Sequence, residues 1–182
     1  MTQNLEEKTL ERKEVYKGQV IELCVDTVQL PNGKEGTREL IFHGGAVCVV
    51  IVNEQGKLVL VRQYRKALEQ MLLEIPAGKL EKGEDPKEAV IREMNEEVGY
   101  TCDDVKLLYI FYGCPGFCNE KIYLYEAVNP RLLEEKLDFD EDEFVELVEL
   151  DFHDAIAQLQ NGKIQDGKTI MALQYLQLKN FL

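Results

Sequence analysis

Alternation of apolar and polar residues dominates the first part of the chain. The stretch EVYKGQVIELCVDTVQL at 14–30 alternates and is rich in Val, Ile and Leu, which predicts one long or two short strands. PNGK at 31–34 has the composition of a turn, and TRELIFH at 37–43 predicts a returning strand. The first forty residues therefore predict a small antiparallel sheet. After a Gly-Gly joint at 44–45 come AVCVVIV and KLVLVRQY, split by NEQG. They are unbroken apolar runs of strand length and predict a hairpin-like pair of buried strands. VKLLYIFYGCPGFCNEKIYLYEAV predicts two strands around a Pro-Gly loop, LDFDEDEF at 137–144 an acidic loop, and FVELVEL another strand. DFHDAIAQLQNGK and DGKTIMALQYLQLKNF place apolar residues at helical spacing and predict two closing helices. Strands interleaved with a few helices predict a mixed α/β fold, divided into an N-terminal antiparallel sheet over 1–43 and a main domain over 44–182.

The helix read most sharply lies at about 86–98. Asp85 is a good N-cap, Pro86 suits the first helical position, and Glu88 three residues after the cap completes a capping box. Gly99 suits the left-handed position that ends a helix. At about 100° per residue, Val90, Ile91, Met94 and Val98 share the face expected to pack on the core. Glu93 and Glu97 stand one turn apart on another face, with Glu96 beside them. Like charges at this spacing cost a few tenths of a kcal/mol, and carboxylates in the last turn oppose the helix dipole by roughly 0.3–1 kcal/mol each. Arg92 offsets part of this by pairing with Glu96. A solvated acidic face is the plain reading of such a cluster. The placement where it costs stability, beside the IPAGKLEKGE loop with its backbone oxygens and Glu84, points instead to a hard divalent cation such as Mg²⁺.

Charge and cysteine usage narrow the field. A formal net charge of −13 excludes nucleic-acid or anionic-membrane binding driven by charge alone. No apolar run approaches the roughly 18 residues that span a membrane, and the polar N-terminus is not a signal peptide. The five cysteines are irregularly spaced, with Cys114 and Cys118 four apart. They read as reduced thiols of a cytoplasmic protein rather than a zinc site.

The stretch from Gly78 also carries a known pattern: five residues to Glu84, seven to Arg92-Glu93-Met94, one to Glu96-Glu97, one to Gly99, then Tyr100. It resembles the Nudix box at every fixed position. GGAVCVVIV, LVRQYR, LEIPAGKLEKGE, GYT, CPGF, DEDEFVEL and ALQYLQLK extend the resemblance to the bacterial ADP-ribose pyrophosphatase branch of that superfamily. The resemblance implies an α/β/α sandwich with an N-terminal antiparallel extension, and Mg²⁺-dependent (or Mn²⁺-dependent) hydrolysis of ADP-ribose to AMP and ribose 5-phosphate. Two alternatives stay open: another nucleoside diphosphate derivative as substrate, or a non-catalytic nucleotide sensor. By the resemblance, Glu93, Glu96, Glu97 and the backbone oxygen of Ala77 are metal ligands, and Arg92 orients the glutamates. Gly78, Arg65 and Pro115 belong to the substrate site, Pro115 as the branch's substrate marker, here preceded by Cys114 where Ser is usual. Glu143 in the acidic loop is the candidate base, with Glu141 second and box residue Glu96 behind them. Arg62 and Arg65 in VRQYR are read as sharing one strand face, and Glu74 as standing behind the site. Some relatives stack adenine on tryptophan, but this chain has no Trp, which leaves Val20, Arg38 and Glu39 at the matching stretch. A homodimer sharing the N-terminal sheet is also implied.

Overall fold

The computed structural model describes residues 4–134 and 144–179. The chain divides into two compact units, residues 1–45 with 111–121, and residues 46–110 with 122–182. The smaller unit is built on an antiparallel meander of β1 (Lys8–Lys17), β2 (Ile21–Gln29) and β3 (Glu35–His43), in that order. β2 and β3 run in register from Ile21 opposite His43 to Gln29 opposite Glu35. They are joined at the turn where Gly33 takes φ 81°, a conformation that costs glycine little. The alternating stretch 14–30 is thus two strands, broken at Gly18, whose amide donates to the Ile21 carbonyl. β1 starts well before the alternation does. Its polar residues gain a ladder on β2, and all ten stay exposed. On β2, Cys24, Asp26 and Val28 are buried in strict alternation. The buried Asp26 is satisfied by a fork from Arg12 at 2.8 and 2.7 Å and by the Thr9 hydroxyl at 3.2 Å.

The larger unit contains β4 (Ala46–Val50), β5 (Leu58–Arg65), β6 (Gln70–Glu74), β7 (Ala77–Lys79), α1 (Pro86–Val98), β8 (Tyr100–Thr101), β9 (Asp104–Tyr112), β10 (Lys121–Val128), β11 (Arg131–Leu132), β12 (Val145–Leu150), α2 (Phe152–Gln160) and α3 (Gly167–Lys179). One sheet has the order β7-β4-β10-β9 and another the order β12-β5-β6; β8 and β11 form a short pair. β4 runs parallel to β10 and antiparallel to β7, while both neighbours of β5 are antiparallel to it.

Two expectations are corrected here. β4 and β5 do not form a hairpin. Val52 bridges Leu58 and the Val59 amide reaches the Ile51 carbonyl at 2.9 Å, but the strands belong to different sheets. Val47–Val50 and Leu58–Val61 are all buried, so neither run carries an alternation that would tell which neighbour it takes. Arg62 and Arg65 do not share a face, because residues three apart on a strand point to opposite sides. Arg62 and Tyr64 are exposed, whereas Gln63 and Arg65 are half-buried.

α1 has the bounds its end chemistry predicts. The Asp85 carboxylate accepts the Lys87 amide at 2.8 Å, Pro86 opens the helix, and Gly99 closes it at φ 66°, its amide reaching the Asn95 and Met94 carbonyls. Val90, Met94 and Val98 are almost wholly buried in a cluster with Val47, Val49, Val59 and Val61. Each such burial stabilises the fold by roughly 1.5–3 kcal/mol. This packing sets α1 against β4 and β7 and brings its acidic face to the Ala77–Gly78 backbone. No helix among the described residues is long and apolar enough to cross a membrane.

Candidate active site

Arg92 is the centre of the acidic cluster. Its Nη1 donates to Glu93 Oε1 and to Glu96 Oε2, both at 2.9 Å. Nε and Nη2 hold Glu84 at 2.9 and 3.0 Å, and Nη2 also reaches the Lys79 carbonyl at 3.3 Å. The expected pairing of Arg92 with Glu96 is thus present, with two more carboxylates on the same guanidinium. The Glu84 hydrogen bond, followed by burial acting the other way and by the charge of Glu93, holds Arg92 above its ordinary value. The same hydrogen bond holds Glu84 below its own. Glu84, proposed from the sequence to face a cation, is placed with both oxygens on Arg92.

Glu93 and Glu97 are 9% and 4% exposed, unusual for carboxylates on a helix. The room for Glu93 is made by Gly78, where a Cβ would lie 1.8 Å from the Glu93 carboxyl carbon. Glu97 Oε2 accepts the Ala77 amide at 2.9 Å. Glu93, Glu96, Glu97, Arg92, Ala77 and Gly78 therefore meet in one place. Among the described residues, no three carboxylates, imidazoles or thiols are grouped tightly enough to enclose an ion by themselves. Mg²⁺ does not require such a cage: it is commonly held by one or two carboxylates together with waters and substrate phosphates. The hard oxygen donors of this cluster fit that ion.

A second ionic group lies in the same unit. Glu74, 1% exposed at the end of β6, accepts a fork from Arg65 at 2.7 and 2.8 Å and a further ion pair from Lys168. Lys168 also reaches Asp166 Oδ1 at 3.0 Å. Burial alone pushes the Glu74 carboxyl up, but Arg65 and Lys168 outweigh it and hold it below the usual range. Burial likewise pulls Lys168 down, and Asp166 and Glu74 bring it above its ordinary value. Arg65 remains 41% exposed at its side chain. Nothing in the sequence reading pointed to Lys168, Asp166 or Thr169. A lysine in the first turn of a helix reads as solvated, and the one available signal was the fixed spacing of an acid, a base and a hydroxyl in DGKT.

Arg38, Glu39 and Pro115 are residues of the smaller unit. Arg38 and Glu39 are on β3 of the smaller unit, where Arg38 donates to Glu7 at 2.8 Å and to the Thr37 carbonyl at 3.0 Å. Pro115 lies in the 114–119 loop, which docks on β3 through the Ile41 amide to the Phe117 carbonyl at 2.7 Å and the Asn119 amide to the Ile41 carbonyl at 3.1 Å. With Leu40, Phe42, Tyr112 and Phe117 it lines an apolar cavity of 290 Å³. All five cysteines are free. Glu141 and Glu143, the candidate bases, lie outside the described residues.

Comparison with known proteins places these features. Residues 7–41 match the nucleoside diphosphate sugar hydrolase N-terminal domain. The chain is 46% identical to an ADP-ribose pyrophosphatase of Bacillus subtilis (strain 168), covering 98% of this chain and 97% of that protein. It is 46% identical to a methanol dehydrogenase activator of Bacillus methanolicus over 97% and 96% of the two chains. It is 39% identical to a GDP-mannose pyrophosphatase of Yersinia pestis (strain Pestoides F) over 79% and 76%. A crystal structure of an ADP compounds hydrolase shares the fold at TM-score 0.81 and 23% identity, over 97% of this chain and 95% of that one. Residues 42–173 match the NUDIX domain, and the chain belongs to that family.

Proposed function

We propose that the protein hydrolyses the diphosphate bond of ADP-ribose, giving AMP and ribose 5-phosphate, with Mg²⁺ or Mn²⁺ as cofactor. The observation that carries the chemistry is the buried pair Glu93 and Glu97, one carboxylate cradled by Gly78 and the other held by the Ala77 amide. The choice of substrate rests on the 46% identity, over nearly both full lengths, to an ADP-ribose pyrophosphatase.

In this reading Glu93 and Glu97, with Glu96 and the Ala77 carbonyl, would hold the cation, which would supply charge neutralisation at the diphosphate oxygens and acidify a water. Arg92 keeps Glu93 and Glu96 in place by hydrogen bonds, so the site is ordered before substrate arrives. Arg65, whose Nε and Nη2 are held by Glu74, turns its remaining guanidinium edge, with Nη1, to the phosphate oxygens. Glu143, or Glu141 in the same loop, takes the proton of the attacking water. The water oxygen bonds to one phosphorus, the bridging P–O bond breaks, and the bridging oxygen leaves on the other phosphate.

The protein acts as a homodimer sharing the N-terminal sheet. The support is β1, whose ten exposed residues include Leu10, Val15 and Tyr16, an apolar load that an uncovered strand carries poorly. A monomer by light scattering at micromolar concentration with full activity refutes this. Free thiols fit a reducing, cytoplasmic compartment.

A second reading, hydrolysis of a nucleotide-sugar, is favoured by the match of residues 7–41 and by the 39% identity to a GDP-mannose pyrophosphatase. Product analysis with Mg²⁺ over ADP-ribose, nucleotide-sugars and dinucleotides separates the two. ADP-ribose is expected to give the highest kcat/KM, and a nucleotide-sugar exceeding it tenfold overturns the first reading.

A further inference from the structure

We infer that Asp166 and the first residues of α3 position the catalytic box from behind through two separate arms, Lys168 acting on Arg65 and Thr169 acting on Glu97. The inference rests on the Nudix reading of Arg65 and Glu97 and assigns a role to residues that this reading leaves unused.

The Thr169 arm is a chain of hydrogen bonds. The Thr169 hydroxyl, wholly buried, accepts the Ile75 amide at 2.8 Å and donates to Asp166 Oδ2 at 2.5 Å. Asp166 Oδ2 also caps the helix by accepting the Thr169 amide at 2.9 Å. The hydroxyl is thus fixed in direction, and its lone pair faces the backbone at 75. Two residues on, the Ala77 amide donates to Glu97. Between them the Pro76 carbonyl accepts the Val49 amide at 3.0 Å. Residues 75–77 are therefore hydrogen-bonded at each position, and Thr169 supplies a side-chain hydrogen bond from α3. Loss of that contact leaves a buried amide without its acceptor, which the backbone relieves by shifting, carrying the Ala77 amide with it.

The Lys168 arm is ionic. Glu74 is shared between Arg65, at the mouth of a strand, and Lys168, 10% exposed at its side chain. Lys168 in turn is shared with Asp166. With Lys168 in place the Glu74 carboxylate is held from two sides, and the fork it offers Arg65 has one orientation. Without it, Glu74 swings with Arg65.

The arms predict opposite phenotypes. Thr169→Val keeps shape and removes the acceptor. It is expected to weaken Mn²⁺ binding, measured by calorimetry without substrate, by about tenfold, while Thr169→Ser restores it to within twofold. Lys168→Met is expected to leave Mn²⁺ affinity within twofold and to raise KM for ADP-ribose by about tenfold, with kcat changed less than threefold. The inference is overturned if folded Thr169→Val binds Mn²⁺ as the wild type does. It is equally overturned if both variants lower metal affinity, kcat and thermal stability together, the signature of a merely structural turn. If Thr169→Val does not fold, Thr169→Ala is measured in its place, and unchanged Mn²⁺ affinity there overturns the inference. If the wild type does not turn over ADP-ribose, the substrate reading fails alone. The Mn²⁺ titrations still decide the Thr169 arm, and the Kd of inorganic pyrophosphate replaces KM for the Lys168 arm.

Discussion

Gly78→Ala is the sharpest test of the site, because its effect follows from one distance. The backbone of Gly78 is outside the left-handed region, so alanine is acceptable there on conformational grounds. The added methyl would stand 1.8 Å from the Glu93 carboxyl carbon and 2.1 Å from both of its oxygens. To restore an ordinary contact of 3.4 Å the carboxyl carbon must retreat by about 1.6 Å. That breaks the 2.9 Å hydrogen bond from Arg92 and takes an anchored carboxylate out of the site. A charged hydrogen bond of this kind is worth roughly 1.5–3 kcal/mol. A Tm fall of about 3–12 °C is expected, since 1 kcal/mol corresponds to roughly 2–4 °C at this size. A misplacement of about 1 Å costs on the order of 10²-fold in rate, so kcat is expected to fall by about that factor or more. Turnover of ADP-ribose with Mg²⁺, Mn²⁺ calorimetry and a thermal melt provide the readouts. In a Glu93→Ala background the same methyl meets no carboxyl, and its additional effect on Tm is expected to vanish. If Gly78→Ala keeps kcat within threefold and binds Mn²⁺ normally, Glu93 does not act from this position.

Three further outcomes are expected. Glu97→Gln keeps volume and the acceptor for the Ala77 amide while removing charge; the melt should change little, Mn²⁺ affinity should drop, and kcat should fall by orders of magnitude, unchanged turnover removing Glu97 from the site. Glu143→Gln should lower kcat by roughly 10²–10⁴ with a small change in KM, with Glu141→Gln as the matched control in the same loop. If the large loss appears at Glu141 instead, the base is Glu141, and if at neither, Glu96 is next. The Glu74 carboxyl is held below its ordinary 4.5, so its contribution is present above that pH and is lost as pH falls through the lowered value. Lys168 is held above its ordinary 10.5, so its contribution is present below that pH and is lost as pH rises through the raised value. Melts across pH should show a steeper acid fall in the wild type than in Glu74→Gln, and equal slopes would mean that the pair does not set acid stability.

What could be read from the sequence was what local chemistry decides. The ends of α1 followed from Asp85, Pro86 and Gly99, each acting within one turn of itself. The core face of α1 and the Arg92–Glu96 pair followed from helical spacing. What escaped depends on partners far along the chain. The pairing of β4 with β10 joins residues 76 positions apart, and β4, buried on both faces from Val47 to Val50, carries no pattern that selects it. β1 is too polar to announce itself and exists because β2 offers it a ladder. The burial of Glu74 was expected only as a position behind the site. That Lys168 would be the residue to share it was invisible, since nothing local distinguishes a buried lysine at a helix start from a solvated one.

The cost of placing carboxylates at the end of α1 is met in layers. Arg92, from the same helix, faces Glu84, Glu93 and Glu96 at once, so the nearest counter-charge needs no distant element to arrive first. Glu97 opposes the helix dipole but accepts a backbone amide from Ala77, which supplies a fixed partial positive charge where the dipole supplies a negative one. Gly78 gives up a side chain so that Glu93 can be buried without a clash. These devices let the cluster fold. In the proposed reading a divalent cation held by Glu93 and Glu97 would add a further counter-charge where hard oxygen donors converge. The same residues that oppose the dipole at the end of the helix would thereby hold the ion, so Glu97→Gln is expected to weaken Mn²⁺ binding while the melt changes little, its acceptor for the Ala77 amide being kept.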